Sequence, residues 1–161
     1  MKILVLSDSH GQMAYMERAW ELEKPDTVIH LGDHDTDAQE LAHFAEHTPV
    51  LFVRGNCDFL RSTPKRLLVS IEGVQLLLMH GHEYGVKSGY LQAELAAREA
   101  GAQVLLFGHT HIPYCEWHNG LWMLNPGSCS GRGRITYGIM ELKDGTASCR
   151  IKELTIGGEQ I

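Results

Sequence analysis

The chain has 161 residues, of which 43% are hydrophobic and 21% are charged, and its formal net charge is −6. This length predicts one domain over residues 1–161, and the composition excludes disordered, collagen-like and disulfide-scaffold proteins. No Lys/Arg run is long enough to bind duplex DNA by charge, and no apolar run approaches the roughly 18 residues of a membrane span. The unusual number is that of the histidines, which is ten.

The first half of the chain alternates short apolar runs with helical patterns. Strands are predicted at residues 3–6, 27–31 and 50–53, with one helix ending before Pro25 and another over residues 38–46. This alternation favours a parallel sheet built from right-handed βαβ units.

The second half is less regular. A hairpin is predicted from residues 67–71 and 74–79, followed by an Ala-rich helix over 89–100 and a strand at 104–107. Four short strands separated by reversal signals then predict an antiparallel meander over residues 114–117, 121–124, 135–142 and 147–154. We expect an α/β domain whose C-terminal half supplies a second sheet, with fraying from Gly157 onward.

Side chains that bind metals follow five of the predicted strands. They are Asp8, His10, Asp33, Asn56, His80, His109 and His111. Because ligand sites collect at the carboxyl ends of parallel strands, we expect these side chains to converge. Two carboxylates, four imidazoles and one amide exceed the needs of one ion, so two divalent metals fit better, with Asp33 as the natural bridge.

Each of these elements also has a purely structural interpretation. Residues 8–11 alone fit a helix cap and turn, and Gly55-Asn56 alone fits a turn. His109 and His111, two residues apart after a buried strand, can point to the same side of the strand, although an exposed loop is the alternative. The joint occurrence of all these residues at strand ends favours the metal site.

Five motifs occur in a characteristic order along the chain. They are D-S-H at residues 8–10, G-D at 32–33, G-N-C-D at 55–58, H-G-H at 80–82 and G-H-T-H at 108–111. This set resembles the calcineurin-like metallophosphoesterase superfamily, and Asn125-Pro126-Gly127-Ser128 resembles a turn of its small uncapped branch, the YfcE-type phosphodiesterases. The resemblance implies a single metallophosphoesterase domain with an α/β fold, a four-layer α-β-β-α sandwich of two mixed sheets.

The resemblance also implies a ligand set and a reaction. One divalent ion would be held by Asp8, His10, Asp33 and His111, and the other by Asp33, Asn56, His80 and His109. A metal-bridging hydroxide would attack a small phosphodiester. Manganese is the expected metal, and nickel, iron, cobalt and zinc also suit this donor set.

Cys57 stands where many members of the superfamily have a histidine that protonates the leaving oxygen or binds the phosphoryl group. A neutral thiol lacks the positive charge of an imidazolium, which favours a diester over a dianionic monoester; alternatively, Cys57 merely fills space beside Asn56. Asn56, Cys57, Asp58 and His82 are the candidate catalytic residues. Three polar residues follow Asp33 closely in the sequence and fit either the rim of the site or a solvated helix start: His34, Asp35 and Asp37.

The sequence therefore predicts a binuclear, metal-dependent phosphodiesterase. A non-catalytic interaction scaffold of the same fold is an alternative of another class, and a nuclease and a phosphomonoesterase are further alternatives. The G-D-H-D-T-D-A sequence at residues 32–38 lacks the G-D-x-x-D-R-G motif of protein phosphatases. The absence of C-x-x-C pairs and of a signal-peptide pattern predicts a cytoplasmic protein, and exposed edge strands would allow a homo-oligomer.

Overall fold

Two five-stranded sheets and three α-helices form the fold in the computed structural model, which describes residues 1–59 and 62–155. In chain order the elements are β1 (Lys2–Leu6), α1 (Met13–Glu23), β2 (Thr27–His30), α2 (Asp35–Phe44), β3 (Val50–Phe52), β4 (Arg66–Ile71), β5 (Val74–Met79), a 3₁₀ helix (His82–Tyr84), α3 (Leu91–Glu99), β6 (Val104–Leu106), β7 (Tyr114–His118), β8 (Leu121–Asn125), β9 (Thr136–Lys143) and β10 (Thr146–Glu153). The fraying predicted from Gly157 lies outside the described residues.

The first sheet has the strand order β10-β9-β1-β2-β3. Strands β1, β2 and β3 are parallel, which confirms the predicted βαβ units, and β9 pairs antiparallel with β1. All four residues of β2 are buried, as expected for a strand covered on both faces. Helix α2 begins at Asp35, three residues earlier than predicted, because acidic side chains in the first turn suit the positive end of a helix.

The second sheet has the order β4-β5-β6-β8-β7, with β5, β6 and β8 parallel. The predicted hairpin of β4 and β5 is confirmed. The predicted four-stranded meander is wrong, because β7 and β8 form a hairpin in this sheet whereas β9 and β10 form one in the first sheet. Between them the chain crosses from sheet to sheet, and side chains rather than a tight turn hold the crossing: Thr136 Oγ1 donates to the carbonyl of Pro126 at 2.7 Å.

Three separate hydrophobic cores show that the fold has four layers. One core lies between the two sheets and contains Ile3, Ile29, Leu76 and Leu106. A second packs α1 and α2 on the first sheet, and a third packs α3 on the second sheet. The α-β-β-α sandwich implied by the motifs is therefore confirmed. Among the described residues, no helix combines the length and the apolar character that crossing a membrane requires.

Candidate metal centre

All seven predicted donors meet at one edge of the two sheets, where the loops after β1, β2, β3, β5 and β6 lie together. The donors form two groups, and within each group the ligand atoms all lie within 4.8 Å of one another. The first group is Asp8, His10 and His111, and the second group is Asp33, His80 and His109. Asn56 joins the second group, because its Oδ1 lies 3.0 Å from His80 Nε2.

In the first group, one carboxylate oxygen of Asp8 accepts hydrogen bonds from neighbouring residues and the other lies among the donor atoms. Oδ2 accepts hydrogen bonds from Ser7 Oγ at 2.5 Å and from the N–H of His109 at 3.1 Å. Oδ1 is buried without a hydrogen bond and lies 3.1 Å from His111 Nε2, while His10 Nε2 is likewise buried and unpaired among the described residues. Buried polar atoms without partners are rare, and these two fit a cation held between them.

In the second group, a hydrogen bond to the backbone orients the ring of His80. Its Nδ1–H donates to the carbonyl of Leu31 at 2.7 Å, so Nε2 presents its lone pair to the site, 3.2 Å from His109 Nδ1. Metal-ligating histidines typically donate their other N–H to such an acceptor. Burial disfavours the charged form, but the carboxylates of Asp33 and Asp8 outweigh it and raise the pKa of His80.

Asp33 lies between the two groups. Its Oδ1 accepts the N–H of Cys57 at 2.9 Å, and its Oδ2 lies 3.5 Å from His80 Nε2 and 3.9 Å from His10 Nε2. Burial acts to raise the pKa of Asp33, but the contacts with His80 and with Cys57 together outweigh burial and lower this pKa. An ionised carboxylate oxygen is therefore within reach of donors from both groups.

Asp58, predicted as catalytic, instead holds two loops together. Its Oδ2 accepts the N–H groups of Asp33 and Gly55, at 2.9 and 2.7 Å, and its Oδ1 accepts that of Asp35 at 2.9 Å. The loops approach so closely that a Cβ on Gly55 would overlap Asp33 Oδ1. Both carboxylate oxygens are committed to the backbone, so we revise the role of Asp58 from catalysis to positioning.

The sequence did not reveal a buried network behind the first group. His30 Nδ1 accepts the N–H of Gly32 at 3.2 Å, so His30 Nε2–H donates to Ser9 Oγ at 2.9 Å. Ser9 donates to Asp37 Oδ2 at 2.6 Å, and the same oxygen accepts the N–H of Gly11 at 2.7 Å. This network ties the loop that carries Asp8 and His10 to the loop before Asp33. Asp37 is thus buried, and the solvated helix start considered for it is wrong.

The remaining predicted residues lie around the donors. Cys57 is exposed, so it does not fill core space; partial desolvation and the carboxylate of Asp33 raise the pKa of its thiol. The ring of His82 lies 5.5 Å from that of His80, and its Nδ1 has no hydrogen-bond partner among the described residues. The ring of His34 lies 5.2 Å from that of His10.

Five donors occupy left-handed backbone conformations, with positive φ angles: Asp8, His10, Asp33, His109 and His111. Such conformations are uncommon for residues other than glycine and cluster at functional sites. His109 and His111 both reach the metal centre, although the chain does not continue as a strand after β6. Their side chains enter different donor groups.

Comparison with known proteins agrees with this geometry. The calcineurin-like phosphoesterase superfamily domain matches residues 1–145. The chain belongs to this superfamily. It is 35% identical over 156 residues to the probable metallophosphoesterase YsnB of Bacillus subtilis, covering 93% of this chain and 89% of that protein. It is 29% identical over 169 residues to the phosphodiesterase YfcE of Escherichia coli, covering 88% of each.

A solved structure gives the same assignment. A phosphoesterase-like protein from Streptococcus pneumoniae superposes with a TM-score of 0.79 and 27% identity, covering 94% of this chain and 88% of that one. The resemblance to the superfamily and to its YfcE-type branch is therefore confirmed. The chain is an enzyme of the metallophosphoesterase class.

Proposed function

We propose that this chain is a binuclear metal-dependent phosphodiesterase that hydrolyses a small phosphodiester. The observation that carries the proposal is the position of Asp33 Oδ2, within 3.9 Å of an imidazole nitrogen from each donor group. One carboxylate oxygen that faces two nitrogen-rich groups suits two ions held close together. The phosphodiesterase YfcE of Escherichia coli, similar over 88% of this chain, supports the reaction class.

The residues present fit two divalent ions. One would be held by Asp8, His10, Asp33 and His111, and the other by Asp33, Asn56, His80 and His109. When bound, two such ions supply Lewis-acid activation of water and of the phosphoryl oxygens. The mixture of imidazole, carboxylate and amide donors suits manganese, and also nickel, iron, cobalt or zinc.

The chain's own residues favour a diester over a monoester. The raised pKa of Cys57 leaves a neutral thiol where an imidazolium would otherwise balance a second phosphate charge. His82 is a candidate partner for a phosphoryl or leaving oxygen, because its ring borders the second group and its Nδ1 is unpaired among the described residues. Asn56 combines a place in the second group with a contact to Cys57 Sγ, which its Nδ2 approaches at 3.6 Å.

The test uses protein stripped with a chelator and reloaded with Mn²⁺. We expect kcat/KM for bis(p-nitrophenyl) phosphate to exceed that for p-nitrophenyl phosphate by at least about tenfold, the effect of roughly 1.4 kcal/mol on the barrier. Asp33→Asn removes the charge shared by both groups and should abolish turnover and Mn²⁺ binding. Asp144→Asn is the matched control, because Asp144 lies in the turn between β9 and β10.

Each alternative predicts a different result. Preference for the monoester would identify a phosphomonoesterase, and preference for a single-stranded oligonucleotide over small diesters would identify a nuclease. A scaffold would retain no stoichiometric metal by elemental analysis and would hydrolyse no ester with any of the five metals. Any of these outcomes would overturn the proposal.

A further inference from the structure

A groove of about 340 Å³ opens beside the second donor group. Its walls are His34, Asp35, Thr36, Cys57, Asp58 and Phe59. The groove adjoins the metal centre through two of its wall residues, because the N–H of Cys57 donates to Asp33 Oδ1 and the ring of His34 lies 5.2 Å from that of His10. A substrate with its phosphate at Asp33 would therefore extend one of its two alcohol groups into this groove.

One wall of the groove carries a solvent-exposed aromatic ring, that of Phe59. The side chain of Phe59 is 90% exposed, whereas the other exposed large hydrophobic residues of the described chain range from 41% to 63%. A single exposed apolar side chain is ordinary on a protein surface, but Phe59 differs because it borders a groove that joins the metal centre. Its exposed face suits stacking with a planar ring of the substrate.

Asp35, on another wall of the groove, offers a hydrogen-bond acceptor. Its side chain is only 2% exposed, and its Oδ2 has no hydrogen-bond partner among the described residues. A buried carboxylate oxygen without a donor is costly, and a ligand N–H would satisfy it. The described residues that line the groove include no Lys or Arg, so none of them calls for a second phosphate.

We propose that this groove binds a nucleobase carried by one alcohol group of the phosphodiester. The base would stack on Phe59 and donate an N–H to Asp35. A nucleobase combines a flat apolar face with N–H donors at its edge, whereas a sugar lacks the face and an alkyl chain lacks the donors. This inference rests on the proposed function only for the position of the phosphate.

The first test measures binding to the Mn²⁺-loaded protein by calorimetry. AMP and ribose 5-phosphate share the phosphate and the sugar and differ by the base. We expect AMP to bind at least about tenfold more tightly, within the range of base stacking on an aromatic side chain. Phe59→Ala should remove this difference and leave the Kd of ribose 5-phosphate unchanged, whereas Phe59→Trp should keep it.

Trp117→Ala is the matched control, because Trp117 is another exposed aromatic residue but lies on β7. Equal affinity of the wild-type protein for AMP and ribose 5-phosphate would overturn the inference. Tighter binding of phosphocholine than of AMP would also overturn it, because it would assign Phe59 and Asp35 to an ammonium group. The proposed function fails separately, if the Mn²⁺-loaded protein hydrolyses no diester.

The second test addresses Asp35. Purine riboside 5′-phosphate lacks the amino group of AMP, so we expect the wild-type protein to prefer AMP and Asp35→Asn to lose that preference. An equal Kd for both ligands in the wild-type protein would contradict the hydrogen bond. The base could belong to a small diester or to a nucleic-acid strand. Hydrolysis rates of a dinucleoside monophosphate and of a longer single-stranded oligonucleotide distinguish these two substrates. We expect the dinucleotide to be hydrolysed at least as fast, because the described lining residues of the groove include no cation that would hold further phosphates.

Discussion

The two donor groups meet at Asp33 but are supported differently. In the second group the side chain of His80 is fully buried, and its Nδ1–H is held by the backbone carbonyl of Leu31. In the first group the side chain of His111 is 42% exposed, and two donor atoms, Asp8 Oδ1 and His10 Nε2, have no hydrogen-bond partner in the described part of the chain. The second group is therefore preorganised by the fold, whereas the first depends more on a bound ion for its final geometry.

This difference has a structural origin. The second group rests on the Asp58 carboxylate, which binds three backbone N–H groups from two loops. The first group rests on the chain of side-chain hydrogen bonds through Ser9, Asp37 and His30. Preorganised donors lose less freedom on binding, so the second group should hold its ion more tightly.

The largest expected effect breaks the support of the second group. Asp58→Ala leaves three backbone N–H groups without their acceptor, at about 1–3 kcal/mol each when they are buried. We expect unfolding by urea to show a loss of at least about 3 kcal/mol. Diester turnover should fall by at least about 100-fold, because Asp33 and Asn56 shift relative to each other. If Asp58→Ala matches Asp144→Asn in both measurements, the support described for the second group is wrong.

The next effect tests the support of the first group through pH. Burial lowers the pKa of His30 to about 4. Below its unfolded pKa of about 6.5 the unfolded chain binds more protons at this residue, so stability falls as the pH drops from there towards the folded pKa. The loss at full extent is about 3 kcal/mol, from about 1.4 kcal/mol per unit.

The measurement compares urea unfolding of the metal-free wild-type protein and His30→Gln between pH 7 and pH 4.5. The glutamine should flatten the decline, because it cannot take up the proton. His43→Gln is the control, since His43 is exposed on α2. Identical slopes for the wild-type protein and His30→Gln would contradict a neutral, buried His30.

A smaller effect concerns the two ions themselves. We expect calorimetric titration with Mn²⁺ to resolve two sites whose Kd values differ by about tenfold, or roughly 1.4 kcal/mol. His10→Ala should remove the weaker site and His80→Ala the tighter one. Loss of the tighter site in His10→Ala would reverse the proposed order of the two groups.

The smallest effect is in substrate choice. Cys57→His restores an imidazole beside Asp33 and should raise the ratio of monoester to diester turnover by several-fold, about 1 kcal/mol. Cys57→Ser, which remains neutral, is the control and should leave the ratio within about twofold. An equal ratio in all three proteins would remove Cys57 from the explanation of specificity.

Much of the fold and the donor set was predictable, because apolar runs define the strands and the polar residues directly after them lie at one edge. The distribution of His109 and His111 between the groups was not predictable from their spacing, since left-handed backbone separates them. Asp58 looked catalytic because it is a carboxylate within the G-N-C-D motif, and only the folded loops reveal its backbone partners. The Pro126-Gly127 pair looked like a hairpin turn, but the chain crosses between sheets there.

The strand that completes the first sheet beside β1 comes from the far end of the chain, with Lys2 opposite Glu141 and Val5 opposite Gly138. Ser128, just before that strand, donates to the carbonyl of Asp8. Contacts between residues so far apart in sequence form slowly, because a long loop must close first. During synthesis, β1 therefore lacks its pairing with β9, and the Asp8 loop lacks its hydrogen bond from Ser128, until both segments have left the ribosome. Mature metal affinity is thus expected only at the end of folding.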